Sequence, residues 1–198
     1  MAELQESAVA LVLIDVINGF DFEGSDGLVH AARRAAPKIL ALRERAHEAG
    51  IPVIYVNDNL GTGSSDFGET VAICSSSDQP GHDVARMLVP MEGDYVVLKT
   101  RSHSAFDGTE LESLLRRLQA RTLVLVGFAT DVGVLGAASA AHSRGYEVVA
   151  PADCSAANSE PLHEKGLEQL RAAAGARTDD SLAIDLASLR YPKHEQTA

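Results

Sequence analysis

The sequence predicts a doubly wound α/β fold, a six-stranded, mostly parallel sheet with helices on both faces. Three observations predict it: short apolar runs recur along the chain, helix-period segments fill most of the gaps, and the strand, helix, strand spacing suits parallel crossovers over a buried sheet. The first run is 9–14 (VALVLI), followed by a helix over 31–49 that Gly50 ends. The run 53–56 (VIYV) reads as the second strand. The stretch 58–80, rich in Gly, Ser and Asp, reads as a long loop over one end of the sheet, and such loops in compact domains usually serve function. A third strand at 95–98 (YVVL), a helix over 110–119 and a fourth strand at 122–126 (TLVLV) come next. An alanine-rich helix over 132–144 is stopped by Gly145, and 147–149 (EVV) is the fifth strand. Ser159 and Pro161 suit the start of a helix over 161–174, Gly175 suits its end, and 182–184 (LAI) is the expected sixth strand.

At 198 residues with 45% hydrophobic content, the chain suits a single domain over 1–198 with one sizeable core. A formal net charge of -11 without any Lys/Arg run argues against nucleic acid and against anionic membrane as partners, leaving a small-molecule substrate as the expected ligand. The apolar run at 8–14 is too short to span a bilayer, and the opening MAELQES lacks the basic region of a signal peptide, so a cytoplasmic protein is expected. Two cysteines, Cys74 and Cys154, have no CxxC partner and no nearby histidine at ligand spacing, and read as buried, inert thiols.

In open α/β sheets ligands bind beyond the carboxyl ends of the strands, near the point where strand order reverses. Three segments therefore matter: Asp15 ending the first strand, Lys99 ending the third, and Gly127 ending the fourth just before FATDVG. Burial should raise the pKa of Asp15 and a nearby Lys99 ammonium should lower it, while a carboxylate beside an ammonium can shuttle a proton. Taken singly, Asp15 reads more readily as a helix cap or loop carboxylate than as a catalytic group, and the same holds for Lys99 as an ordinary structural residue. Gly133 falls near the junction of the fourth strand and the following helix, where backbone N–H groups face a ligand.

Four motifs together carry a family resemblance: LVLIDVINGF at 11–20, a strand-ending lysine before SAFDGTELESLL at 104–115, TLVLVGFATDVGVL at 122–135, and GYEVVAPADCSAA at 145–157. On these the chain resembles the isochorismatase-like hydrolases, or cysteine hydrolase superfamily, which includes nicotinamidases, N-carbamoylsarcosine amidases and isochorismatases. The resemblance implies a Rossmann-like sheet, dimers or tetramers, and an Asp, Lys, Cys triad falling on Asp15, Lys99 and Gly133. It implies a cis peptide between Phe128 and Ala129 that helps aim the N–H groups of Ala129 and Gly133 at an oxyanion. In the amidase members the cysteine attacks a carbonyl carbon, but Gly133 offers no nucleophile. Isochorismatases resemble this chain in having glycine there, and they cleave an enol ether without covalent catalysis, whereas FATD at 128–131 is closer to the amidase branch than their usual YAH.

Two enzymatic readings follow, an Asp15/Lys99 acid-base hydrolase of an isochorismate-type enol ether, and an amidase or carbamoylase scaffold whose cysteine has been replaced in evolution or by design. A third is a binding protein that has kept the pocket and lost the chemistry. The spacing from Lys99 to SAF is one residue longer than the resemblance leads one to expect, which makes Arg101 a competitor for the cationic role and a candidate partner for a substrate carboxylate. Phe20, Phe67 and Phe128 are candidates for an apolar wall against a planar substrate, although ordinary packing accounts equally well for Phe67. Nicotinamidases resemble one another in an Asp-x-His metal site, but the segment 56–59 reads VNDN with no histidine following before His82. Neither a metal nor another cofactor is expected. His103, close to Lys99, is the histidine of most interest. The alanine-rich stretches at 132–144 and 167–174 suit either subunit contacts or packing against the sheet.

Overall fold

A computed structural model describes residues 6–58, 67–99 and 104–190. Five strands, β1 (Val9–Ile14), β2 (Val53–Asp58), β3 (Tyr95–Lys99), β4 (Thr122–Phe128) and β5 (Glu147–Val149), pair in the order β3-β2-β1-β4-β5. A two-residue sixth strand, β6 (Ser155–Ala156), pairs with the end of β4, and every pairing is parallel. Every residue of β1 and of β4 is buried, which is why both read as unbroken apolar runs: central parallel strands are covered on both faces.

Side chains alternate between two core layers. Val9, Leu11 and Leu13 face the layer beneath α1 (Asp26–Glu48), α2 (Phe67–Cys74) and α3 (His82–Met87). Ala10, Val12 and Ile14 face the layer formed with α4 (Leu111–Arg117), α5 (Leu135–Ser143) and α6 (Glu160–Ala174). A short α7 (Leu186–Arg190) closes the first layer through Leu186. The chain runs outward from β1 to β2 and β3 and then returns to place β4 on the other side of β1, so strand order reverses between β1 and β4. Gly127 allows their close approach: at φ +122 an added Cβ would lie 2.1 Å from the Ile14 carbonyl oxygen.

Several expected elements are corrected. The segment 182–184 is no strand; Ser181–Ala183 is a 3₁₀ turn, pinned where the Asp153 carboxylate accepts from the Ser181 N–H and hydroxyl at 2.8 Å each and where Arg45 donates to the Ser181 carbonyl at 2.8 Å. The sixth strand is instead Ser155–Ala156. The first helix begins at Asp26, five residues before the apolar period becomes evident, and continues through Pro37. The described part of the expected loop over 58–80 holds the helix α2, while 59–66 lie outside the described residues. The helix expected from 132 opens as a π-helical turn, Thr130–Val134, before α5. Among the described residues no helix is long and apolar enough to cross a membrane.

Candidate active site

At the carboxyl end of β1 the chain turns sharply. Asp15 adopts φ +50, a left-handed conformation that Asp tolerates better than bulkier residues, while its N–H still donates to the Val56 carbonyl at 2.9 Å. The loop beyond it is tied to β2 by Asn57, whose side chain accepts from the Ile17 N–H at 3.2 Å and donates to the Ile17 carbonyl at 2.7 Å. These bonds hold the Asp15 carboxylate over the ends of β2 and β3. Lys99 donates to Asp15 Oδ2 at 2.6 Å, and the Asp58 N–H donates to Oδ1 at 3.1 Å. The same ammonium lies 3.1 Å from Asp58 Oδ1.

Burial is graded across this trio, with side-chain exposures of 1% for Lys99, 15% for Asp15 and 52% for Asp58. Burial pushes the Asp15 carboxyl above its ordinary value of 3.8; the Lys99 ammonium pulls it back without cancelling the effect, and the Asp58 charge adds to the rise. A buried carboxyl with raised proton affinity, in contact with an ammonium, is suited to holding and delivering a proton.

Beside β1, the end of β4 supplies the other wall. The Phe128–Ala129 peptide is cis, and the Ala129 carbonyl accepts from the N–H groups of both Val132 and Val134, at 3.2 and 3.0 Å. Among the described residues the Ala129 N–H is given to no backbone carbonyl. Gly133 is buried in the π-helical turn. A Cβ added there would lie 2.8 Å from the Phe128 carbonyl oxygen and 3.2 Å from Ile14 Cγ2, so the turn as folded has no room for a side chain. Asp15, Asp58, Phe128, Ala129, Asp131 and Gly133 face a common cavity of about 500 Å³. Phe22 and Val132, both more than half exposed, stand on its lining as well.

The structure therefore brings Asp15, Lys99, Phe128, Ala129 and Gly133 together where the strand order reverses, the place such sheets bind ligands. It does not place Phe20 or Phe67 on the cavity wall. Phe20 is fully buried with its ring centroid 5.8 Å from that of Phe128, which it backs, and Phe67 packs on Tyr55 at 6.4 Å, so both are core residues. Phe22 joins Phe128 as an aromatic residue on the cavity lining. Arg101 and His103 lie outside the described residues. Asp58 was missed because the second apolar run reads as ending at Val56 whereas β2 continues to Asp58; a charged residue at or just past the end of each of three neighbouring strands, Asp15, Asp58 and Lys99, is the signal that finds it. Neither cysteine reaches the site. Burial raises the Cys74 thiol and pushes the Cys154 thiol up to about 12, leaving both protonated and unreactive. Among the described residues no three His, Cys, Asp or Glu side chains are grouped as metal ligands.

Comparison with known proteins places this geometry. Residues 9–180 match the isochorismatase domain. The chain is 34% identical over 161 residues to the uncharacterized isochorismatase family protein YaaI of Bacillus subtilis, covering 81% of this chain and 87% of that protein. An isochorismatase family protein from Desulfovibrio vulgaris superposes with a TM-score of 0.72 at 28% identity, over 90% of this chain and 96% of the other. The N-carbamoylsarcosine amidase of Thermoplasma acidophilum superposes with a TM-score of 0.69 at 27% identity, over 89% and 98% of the two chains. With the matched domain spanning the sheet from β1 to the segment beyond α6, and the cavity at the crevice between β1 and β4, the chain belongs to the isochorismatase family of hydrolases.

Proposed function

We propose that this hydrolase works by acid-base catalysis from Asp15 and Lys99, without a covalent nucleophile, on a small polar substrate containing an enol ether of the isochorismate type. The observation that carries the reading is at Gly133, which offers no nucleophile and where an added Cβ would lie 2.8 Å from the Phe128 carbonyl oxygen, so that a cysteine would require this backbone to shift. The raised proton affinity of Asp15 supports the same role. In such a reaction the Asp15 carboxyl gives its proton to the vinyl carbon, whose π electrons form the new C–H bond, and the cation is shared with the ether oxygen. Water then adds to the cationic carbon, the one bonded to the ether oxygen, and loses a proton to the Asp15 carboxylate. The resulting hemiketal separates into a ketone and an alcohol, so one water is consumed and the acid is regenerated. Lys99 holds Asp15 in position and offsets its charge when the proton has left.

A second reading is favoured by the structural likeness to an N-carbamoylsarcosine amidase and by the segment FATD at 128–131, which resembles the amidase branch. There the chain would be an amidase whose cysteine has been replaced, and the Ala129 N–H, given to no backbone carbonyl among the described residues, would serve an oxyanion. The test compares turnover of isochorismate and of a panel of primary amides by the unmodified chain, Asp15→Ala and Gly133→Cys. Cleavage of isochorismate that Asp15→Ala abolishes supports the first reading. Amide turnover that appears only in Gly133→Cys supports the second and overturns the first.

A further inference from the structure

Lys99 poses a charge problem that Asp15 alone does not solve. Its ammonium is buried, and a buried charge needs a counter-ion in every state the site passes through. Resting on the reading of Asp15 as the proton donor, the catalytic cycle must begin with Asp15 neutral. In that state Asp15 still accepts a hydrogen bond from Lys99 but no longer balances its charge. Of the described ion-pair partners of Lys99, Asp58 is the one that remains. It ends the neighbouring strand directly opposite Lys99 in the β2/β3 register, with Oδ1 at 3.1 Å from the ammonium.

We infer that Asp58 is a positioning residue of the reaction: the standing counter-ion of Lys99, whose negative charge keeps the proton on Asp15 until substrate takes it. Its backbone and side chain act on Asp15 in opposite senses. The Asp58 N–H donates to Asp15 Oδ1 and favours the carboxylate, whereas the Asp58 carboxylate repels a second negative charge and favours the acid. Removing only the side-chain charge leaves the first effect in place. It also leaves Lys99 with Asp15 as its one described counter-ion, which tightens that pair and draws the proton off. Both consequences run in the same direction, toward an Asp15 that is ionised at lower pH. Among the described residues, the other charged groups lining the cavity are Glu23 and Asp131, which the substitution leaves unchanged.

Asp58→Asn is nearly isosteric, keeps the backbone N–H, and alters a half-exposed strand end, while Asp58→Glu keeps the charge on a longer stem. The experiment follows the Asp15 carboxyl carbon by NMR through a pH titration of the full chain, its resonance assigned by comparison with Asp15→Asn, in the native protein and both Asp58 variants. The expected result is a lower Asp15 midpoint in Asp58→Asn and a midpoint close to native in Asp58→Glu. An Asp15 midpoint unmoved in Asp58→Asn, or moved equally in both variants, overturns the proposal. Where enol ether turnover is measurable, kcat/KM of Asp58→Asn at neutral pH should fall by about tenfold for each unit of midpoint shift and should recover as pH is lowered. The two proposals fail separately. A chain that turns over no enol ether but shows the midpoint shift has lost the functional reading and kept Asp58 as the counter-ion, while normal turnover with an unmoved midpoint does the reverse.

Discussion

What position 133 tolerates is decided by two neighbours, the Phe128 carbonyl oxygen and Ile14 Cγ2. One is backbone and the other belongs to the fully buried central strand β1, so neither yields cheaply. Gly133→Cys is therefore expected to lower stability by about 1–3 kcal/mol, as overpacking of a tight interior commonly does, and denaturation in urea measures it. A variant as stable as the native chain would mean that the turn relaxes freely and that the glycine is no evidence about mechanism. The two natural cysteines bear on the same question. With both thiols buried and their pKa values raised, neither should react with iodoacetamide in mildly alkaline buffer until the protein is unfolded. Mass spectrometry of the intact protein reads this directly, and rapid labelling of either thiol in the native state would reopen the search for a nucleophile.

The elements around the site are held by contacts that propensity alone misjudges. Gly27 lies in the first turn of α1, where alanine would favour the helix by about 1 kcal/mol. Yet a Cβ at Gly27 would lie 2.1 Å from the Asn158 carbonyl oxygen, and Asn158 Oδ1 accepts the Leu28 N–H at 2.9 Å. Overpacking against backbone outweighs the propensity gain, so Gly27→Ala is expected to destabilise by about 1–2 kcal/mol in urea. Across the same layer, the Tyr55 hydroxyl donates to the Leu88 carbonyl at 2.9 Å and accepts from Arg43 at 2.7 Å, joining β2 to α1 and to the end of α3. Tyr55→Phe removes this junction and should cost about 1–3 kcal/mol, because a buried carbonyl and a buried guanidinium each lose a partner. The central strands β1, β2 and β4 were legible in the sequence because their unbroken apolar runs follow from burial on both faces. The segment 182–184 was misread because its apolar triplet resembles a strand, whereas its shape is set by Asp153 and Arg45, polar residues distant in sequence that no local pattern reveals.

Over the whole molecule, the reversal of strand order gathers Asp15, Asp58, Lys99 and the Phe128–Ala129 segment at one crevice, and this gathering explains what could be read in advance. Asp15 and Lys99 stand out in the sequence at or just past the ends of apolar runs, whereas Gly133 is picked out by the family resemblance of 122–135. Asp58 was hidden at the head of a Gly- and Ser-rich stretch that looks solvated, and the facing of Phe20 and Phe67 depends on packing from other layers. Such a site also weighs on the stability of the fold. Because burial raises the Asp15 carboxyl above 3.8, the folded chain holds this proton more tightly than the unfolded chain does. Well below 3.8 the residue is neutral in both states and contributes no penalty. As pH rises, the unfolded chain ionises first, and stability falls until the pH has passed the raised native value, after which the loss is constant. Asp15→Asn lacks this titration while sharing the other ionisable groups. Urea unfolding of the two proteins from acid to neutral pH should therefore show Asp15→Asn gaining on the native chain as pH rises through that window, even as catalysis is lost. A difference that runs the other way would mean that the fold prefers the Asp15 carboxylate, and a carboxylate held in that form could not be the proton donor.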